Sequence, residues 1–103
     1  MTVKENLMLV AMEEADELSK ELSKSMRFGI NNYHPEKPEE TNETKLLTEF
    51  YQLVAMIEHL QDMGYIGDFS EEEIDRVKIG KIQKVYHYME VSKDLGFVEE
   101  KEE

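Results

Sequence analysis

The strongest constraint on the fold is the spacing of apolar residues, which recur every three or four positions. In the first segment the residues with this spacing are Leu7, Ala11, Ala15, Leu18, Leu22 and Met26. Such steps place side chains on one face of an α-helix, because a helix turns about 100° per residue. The pattern predicts a helix over about Val3 to Met26. Thr2 and Glu5 form a capping box at its start, and Gly29 follows its end.

The second segment repeats this spacing after a loop of residues 29–43 that holds both prolines of the chain. Its apolar residues predict a helix over about Glu43 to Met63, and they are Leu46, Phe50, Leu53, Ile57 and Leu60. Gly64 is the expected stop signal.

A third helix is predicted from a capping box at Ser70 and Glu73 and is expected to reach Asp94. Gly80 inside this segment is less favourable than alanine by about 1 kcal/mol. The sequence therefore allows either one helix here or two. The predicted fold class is all-α, with three to four amphipathic helices forming a helical bundle.

The length of the chain indicates one domain with a small core. A chain of 103 residues buries only about two-thirds of its unfolded surface as a monomer. Three helices side by side would leave apolar faces uncovered, so we expect self-association to complete the bundle. The predicted organisation is a single helical domain over residues 1–98 and a charged tail over residues 99–103.

The composition excludes several classes of function. The 24 acidic and 12 basic residues give a net charge of −12, which argues against generic nucleic-acid binding and against anionic membranes. The charge is compatible with divalent cations, although solubility is the simpler explanation. The absence of cysteine excludes disulfides, thiolate zinc sites and cysteine nucleophiles. No apolar run approaches the roughly 20 residues of a membrane helix, and no cleavable signal is evident, so a cytoplasmic location is expected.

Acidic residues recur at the same place relative to the apolar seams of the first two helices. Glu14 and Glu17 lie about 40° and 100° to one side of the first seam, and Glu49 and Gln52 lie at the same angles from the second. If the helices pack along these seams, both pairs can project into one cleft.

Such a cleft has the chemistry of a divalent metal site. Carboxylates held together repel one another unless a cation lies between them, and Mg²⁺ or Mn²⁺ prefers oxygen ligands. A bound divalent cation can bridge phosphate oxygens and lower the pKa of a water ligand. The alternative is a solvated acidic surface, with Glu17 and Glu21 paired to Lys20 and Lys24.

Several stretches of the chain resemble one known family. They are EEADEL at 13–18, SMRFG at 25–29, LLTEFYQLVAMIE at 46–58, KIQKV at 81–85 and SKDLG at 92–96. In this order they resemble the MazG-like superfamily of all-α nucleoside triphosphate pyrophosphohydrolases, and more narrowly its short phage and bacterial members.

The resemblance implies a fold, an activity and a set of ligands. Family members assemble as dimers or tetramers, and they use Mg²⁺ to cleave nucleoside triphosphates to monophosphates and pyrophosphate. Their signature of Glu-x-x-Glu, a gap and Glu-x-x-Asp assigns Glu14, Glu17 and Glu49 as catalytic and metal-ligating residues. The fourth ligand position is Gln52, a departure that replaces a carboxylate with a neutral amide. The chain is thus expected to be a hydrolase, or else a non-catalytic nucleotide-binding protein or an acidic protein-interaction module.

Three basic residues are candidates for contacts with nucleotide phosphates. Arg27 ends the first helix, where it could also serve as a cation at the negative end of the helix dipole. Lys24 and Lys81 are the other candidates, and for both the alternative is a solvated surface lysine. The scattered histidines do not suggest zinc.

Overall fold

The computed structural model describes residues 1–99, and its regular elements within that range are three α-helices. Helix α1 spans Val3–Phe28, α2 spans Asn42–Asp62 and α3 spans Glu71–Asp94. The all-α class predicted from the sequence is confirmed. Within residues 1–99, no helix combines the length and apolarity needed to cross a membrane. Most of the predicted charged tail, residues 100–103, lies outside the described residues.

Each helix begins at a side chain that accepts a hydrogen bond from the third helical residue. Thr2, Thr41 and Ser70 are the three capping residues. At Ser70 the full predicted capping box is present, because Glu73 also accepts a hydrogen bond from the Ser70 backbone at 3.2 Å. These boundaries are encoded locally, since a cap satisfies backbone N–H groups that have no partner within the helix.

Helix α3 continues without a break through Gly80. The open question of one helix or two is therefore resolved in favour of one. A Cβ atom added at Gly80 would meet nothing within 4 Å. The glycine thus lowers helix propensity without meeting a packing requirement in the described residues.

The chain divides into two compact units, Met1–Gly67 and a second that begins at Asp68. In the first unit α1 packs against α2. The side-chain amide of Asn42, at the start of α2, donates to the carbonyl oxygen of Gly29 at 2.9 Å. Gln52, further along α2, reaches back to Glu14 in the middle of α1. The two helices are therefore antiparallel.

The packed face of α1 differs from the predicted seam in its C-terminal half. Leu22 and Met26 belong to that seam but are 53% and 84% exposed, whereas Glu21 and Ser25 are only 7% and 8% exposed. In the C-terminal half of α1 the buried side is therefore the side that carries Glu21 and Ser25. The core that results is thin, with Ala11 and Leu60 as its buried apolar residues in the described range.

Seven of the apolar residues left uncovered in the first unit form a surface that we call the open apolar face. It consists of Met8, Met12, Leu22, Met26, Leu47, Phe50 and Ile57, all exposed. Measured from Leu18 and Leu53 as seam centres, these residues lie at helical angles on the side opposite the acids. Four of them are expected to be covered as seam residues and are exposed instead: Leu22, Met26, Phe50 and Ile57. Antiparallel packing brings the two rows to the same side of the helical pair.

Candidate metal centre

Acidic side chains of α1 and α2 meet at Gln52. Carboxylates can only accept hydrogen bonds from an amide, so the Gln52 side chain satisfies its neighbours when its nitrogen faces them. In that orientation the nitrogen donates to Oε2 of Glu14 and to Oε2 of Glu49, each at 3.0 Å. One neutral amide thus bridges two half-buried acids from different helices.

The pKa of Glu49 is raised from its ordinary value of 4.5. The largest cause is a side-chain hydrogen bond with Glu14, followed by partial desolvation and then by the negative charges of Glu14, Glu17 and Glu21. Repulsion among acids favours the protonated form of one member. A divalent cation would relieve the same repulsion, so the donor set fits a hard cation such as Mg²⁺ or Mn²⁺.

Glu17 stands at the edge of this cluster. Its side chain is 47% exposed, and its Oε1 accepts from Nζ of Lys20 at 3.1 Å. This is the solvated pairing that the sequence left open as an alternative, yet the charge of Glu17 still raises the pKa of Glu49. Within residues 1–99, no three acidic or histidine side chains already stand as ligands around one point. Glu14 and Glu49 are therefore brought together, and Glu17 remains turned toward solvent.

The two basic candidates of the first unit contact residues other than the bridged acids. Arg27 is exposed, and its guanidinium stacks 5.0 Å from the ring centre of the neighbouring Phe28. Lys24 pairs with Glu21 at 3.4 Å. Lys81 belongs to the second unit, where it lines a shallow cavity of about 390 Å³ on α3 with Arg76 and Lys84.

A cavity of about 300 Å³ lies beside the cluster. Its lining residues are Glu21, Glu40, Thr44, Lys45, Thr48 and Glu49. Sequence reasoning did not select Glu21 as a site residue, although its helical angle places it on the same side of the seam as Glu14. The spacing of Glu21 relative to the seam could have identified it as a site residue, but an ion pair with Lys24 on a solvated surface was a simpler explanation for this acid.

An apolar groove adjoins the acids along α2. Thr44, Leu47, Thr48, Tyr51, Gln52 and Ala55 line it, and its volume is about 520 Å³. Tyr51 is 64% exposed and meets Phe50 edge to face at 5.0 Å between ring centres. Gln52 belongs both to this groove and to the acidic cluster, so an aromatic surface lies next to the charged one.

No known protein-family model, curated protein or solved structure matches this chain.

Proposed function

We propose that this chain binds a divalent cation, Mg²⁺ or Mn²⁺, between α1 and α2 and uses it to hydrolyse a nucleoside triphosphate to a monophosphate and pyrophosphate. The observation that supports this most is the bridging of Glu14 and Glu49 by the Gln52 amide, which holds acids of two helices within 3.0 Å of one group. The signature of the MazG-like family, with Glu14, Glu17 and Glu49 in place, points to the same chemistry.

The Gln52 amide suits both the metal-free and the metal-bound state of such a site. With its nitrogen toward the acids it donates to Glu14 and Glu49; rotated by half a turn, it would present a carbonyl oxygen, the kind of ligand that Mg²⁺ accepts. Glu17 would become a further ligand of the cation once its ion pair with Lys20 is broken. When bound, a divalent cation neutralises phosphate charge and supplies an acidified water.

The apolar groove gives a place for the base of the nucleotide. Aromatic side chains stack on bases without selecting among them, and the exposed Tyr51 ring lies one residue from Gln52. A base against Tyr51 would lie beside Gln52, which lines the same groove and contacts the acids. Arg27 and Lys24 are proposed phosphate contacts, and they would have to leave Phe28 and Glu21 to make them.

A second candidate is a protein that binds a nucleotide without cleaving it. The neutral side chain at Gln52 favours this candidate, because a site with one carboxylate fewer attracts a divalent cation less strongly. The third candidate, an acidic protein-interaction module, would use the open apolar face and no cation.

Pyrophosphate release from a panel of nucleoside triphosphates, with Mg²⁺ and with a chelator, tests the proposal. We expect cation-dependent release that Glu49→Gln abolishes and that Asp16→Asn, an exposed acid on α1, leaves intact. Thermal stabilisation by nucleotides without turnover would support the second candidate instead. No response to cation or nucleotide would reject both and favour the interaction module.

We further propose that a second copy of the chain covers the open apolar face and that the protein is a cytoplasmic homo-oligomer, a dimer or a tetramer. The rows of this face on both helices follow the three-and-four spacing of helices that pack in bundles. Exposed apolar surface of this extent commonly marks an interaction site. Sedimentation at micromolar concentration tests the proposal, because a single species of 12.1 kDa would reject it.

A further inference from the structure

Glu21 is an acidic residue in an unusual environment. Its side chain is only 9% exposed, and its Oε1 accepts from Nζ of Lys24 over a long 3.4 Å. Its Oε2 is buried and accepts a hydrogen bond from no residue in the described part of the chain. The hydroxyl of Ser25, one turn further on the same face, is likewise buried with no partner among those residues.

This environment is unfavourable for a lone carboxylate. A buried charged oxygen without a partner loses its hydration and gains no protein hydrogen bond in return. The single ion pair of Glu21 compensates this lost hydration only weakly. The Lys24 side chain is half exposed, so water competes with Glu21 for its ammonium group. A further positive group near Glu21 would compensate this burial.

The cavity beside Glu21 offers room for that group. Glu21 and Glu49 line it from the two helices, and Glu40 lines it from the end of the loop. Lys45 is the one basic lining residue, so three acids face one base and the net charge favours a cation. A volume of about 300 Å³ exceeds several times the roughly 30 Å³ that one water occupies in the liquid, which suffices for a partly hydrated ion.

We propose that Glu21 is a carboxylate ligand of a divalent cation held in this cavity, with Glu49 as its partner from α2. Glu21 lies seven residues from Glu14, or about 10 Å along the axis of α1. The inference rests on the proposed function only in placing a divalent cation between α1 and α2.

Binding of Mn²⁺ alone, without nucleotide, tests this assignment. We expect Glu21→Gln to weaken Mn²⁺ affinity roughly tenfold or more, as loss of even an outer-shell partner can do. The matched control Asp16→Asn removes the same charge from an exposed position of α1 and should change affinity less than about twofold, because salt screens exposed charges. Without metal, Glu21→Gln should melt at a higher temperature than the wild type, since a poorly compensated buried charge is gone. Equal Mn²⁺ affinity in Glu21→Gln and wild type would overturn the proposal.

The wild-type protein gives an independent readout. Paramagnetic Mn²⁺ should broaden the amide signals of Glu21, Ser25 and Thr48 at the lowest metal concentration. Broadening that spares these residues would overturn the assignment even if a variant failed to fold. Both measurements omit nucleotide, so a failure of triphosphate hydrolysis leaves this inference standing. Conversely, if Mn²⁺ binding does not depend on Glu21, the proposed hydrolysis at Glu14 and Glu49 is still tested separately by pyrophosphate release.

Discussion

The substitution Gln52→Asp tests the bridged acids most directly, because it replaces a shared hydrogen-bond donor with a third negative charge. The Gln52 amide makes two hydrogen bonds, each at 3.0 Å. Since this side chain is exposed, water competes for it, and a contribution of about 0.5–1 kcal/mol per bond is appropriate. Loss of both bonds should lower the free energy of unfolding by about 1–2 kcal/mol, and repulsion by the new carboxylate acts in the same direction.

Thermal melting with and without Mg²⁺ measures this loss of unfolding free energy as a change in Tm. For a domain of about 100 residues, 1 kcal/mol shifts Tm by about 4–8 °C, so Gln52→Asp in a chelator should melt roughly 4–16 °C below the wild type. A ligand at one hundred times its Kd stabilises the folded state by about 2.7 kcal/mol. This exceeds the expected loss from the hydrogen bonds, so saturating Mg²⁺ should restore Gln52→Asp to about the melting temperature of the metal-free wild type.

The control for Gln52→Asp is Gln83→Asp, which makes the same change at an exposed position inside α3 and reports the helix-propensity cost alone. Binding of Mg²⁺ should be tighter in Gln52→Asp than in the wild type and weaker in Glu49→Gln. If Gln52→Asp shifts stability by less than about 0.5 kcal/mol and Mg²⁺ makes no difference, the acids are a solvated surface and the metal centre is wrong.

Three further outcomes follow from the geometry. Because the folded state raises the pKa of Glu49 above 4.5, it holds that proton more tightly than the unfolded chain does. The metal-free protein should therefore lose stability as the pH rises from about 4.5 through the raised pKa; Glu14→Gln should flatten this slope in urea melts at several pH values, and an unchanged slope would contradict the coupling. Gly80→Ala should raise stability by about 0.5–1 kcal/mol, since a Cβ there meets nothing within 4 Å; a loss would mean that another surface approaches Gly80. Leu22→Glu or Ile57→Glu should shift the sedimenting species toward the monomer, and an unchanged mass would show that the open apolar face is not the contact.

The helix boundaries could be predicted from the sequence because their determinants are local. Ser70 and Glu73 satisfy each other within one turn, and Gly29, Gly64 and Gly96 adopt positive φ where the helical segments end. These interactions involve residues a few positions apart, so no knowledge of the packing was needed.

The environment of Glu21 could not be predicted in the same way. Helix α1 has two adjacent apolar rows, and the sequence alone does not say which of them α2 covers. In the structure Leu22 is exposed and Glu21 is buried. The choice depends on the surface that α2 offers, which is a property of both helices together. Sequence reasoning therefore identified the acidic side of α1 and missed its most buried acid.

The helical pair places its acidic site and its open apolar face on opposite surfaces, so binding a cation and binding a second copy need not compete. The acids and the open apolar face both lie beside the seam between α1 and α2, but at opposite helical angles from it. In an antiparallel pair, residues displaced to the same angular side of both seams come to the same surface. Glu14 and Glu49 thus share one surface, and Leu22 and Ile57 share the opposite one. A second copy that covered the apolar surface would bury side chains on which the acidic site does not depend, and would leave the acids open to a ligand. A substitution at Leu22 should accordingly change the mass of the assembly while leaving Mn²⁺ affinity per chain close to that of the wild type. If the affinity fell together with the mass, the cation site would need a residue from the second copy.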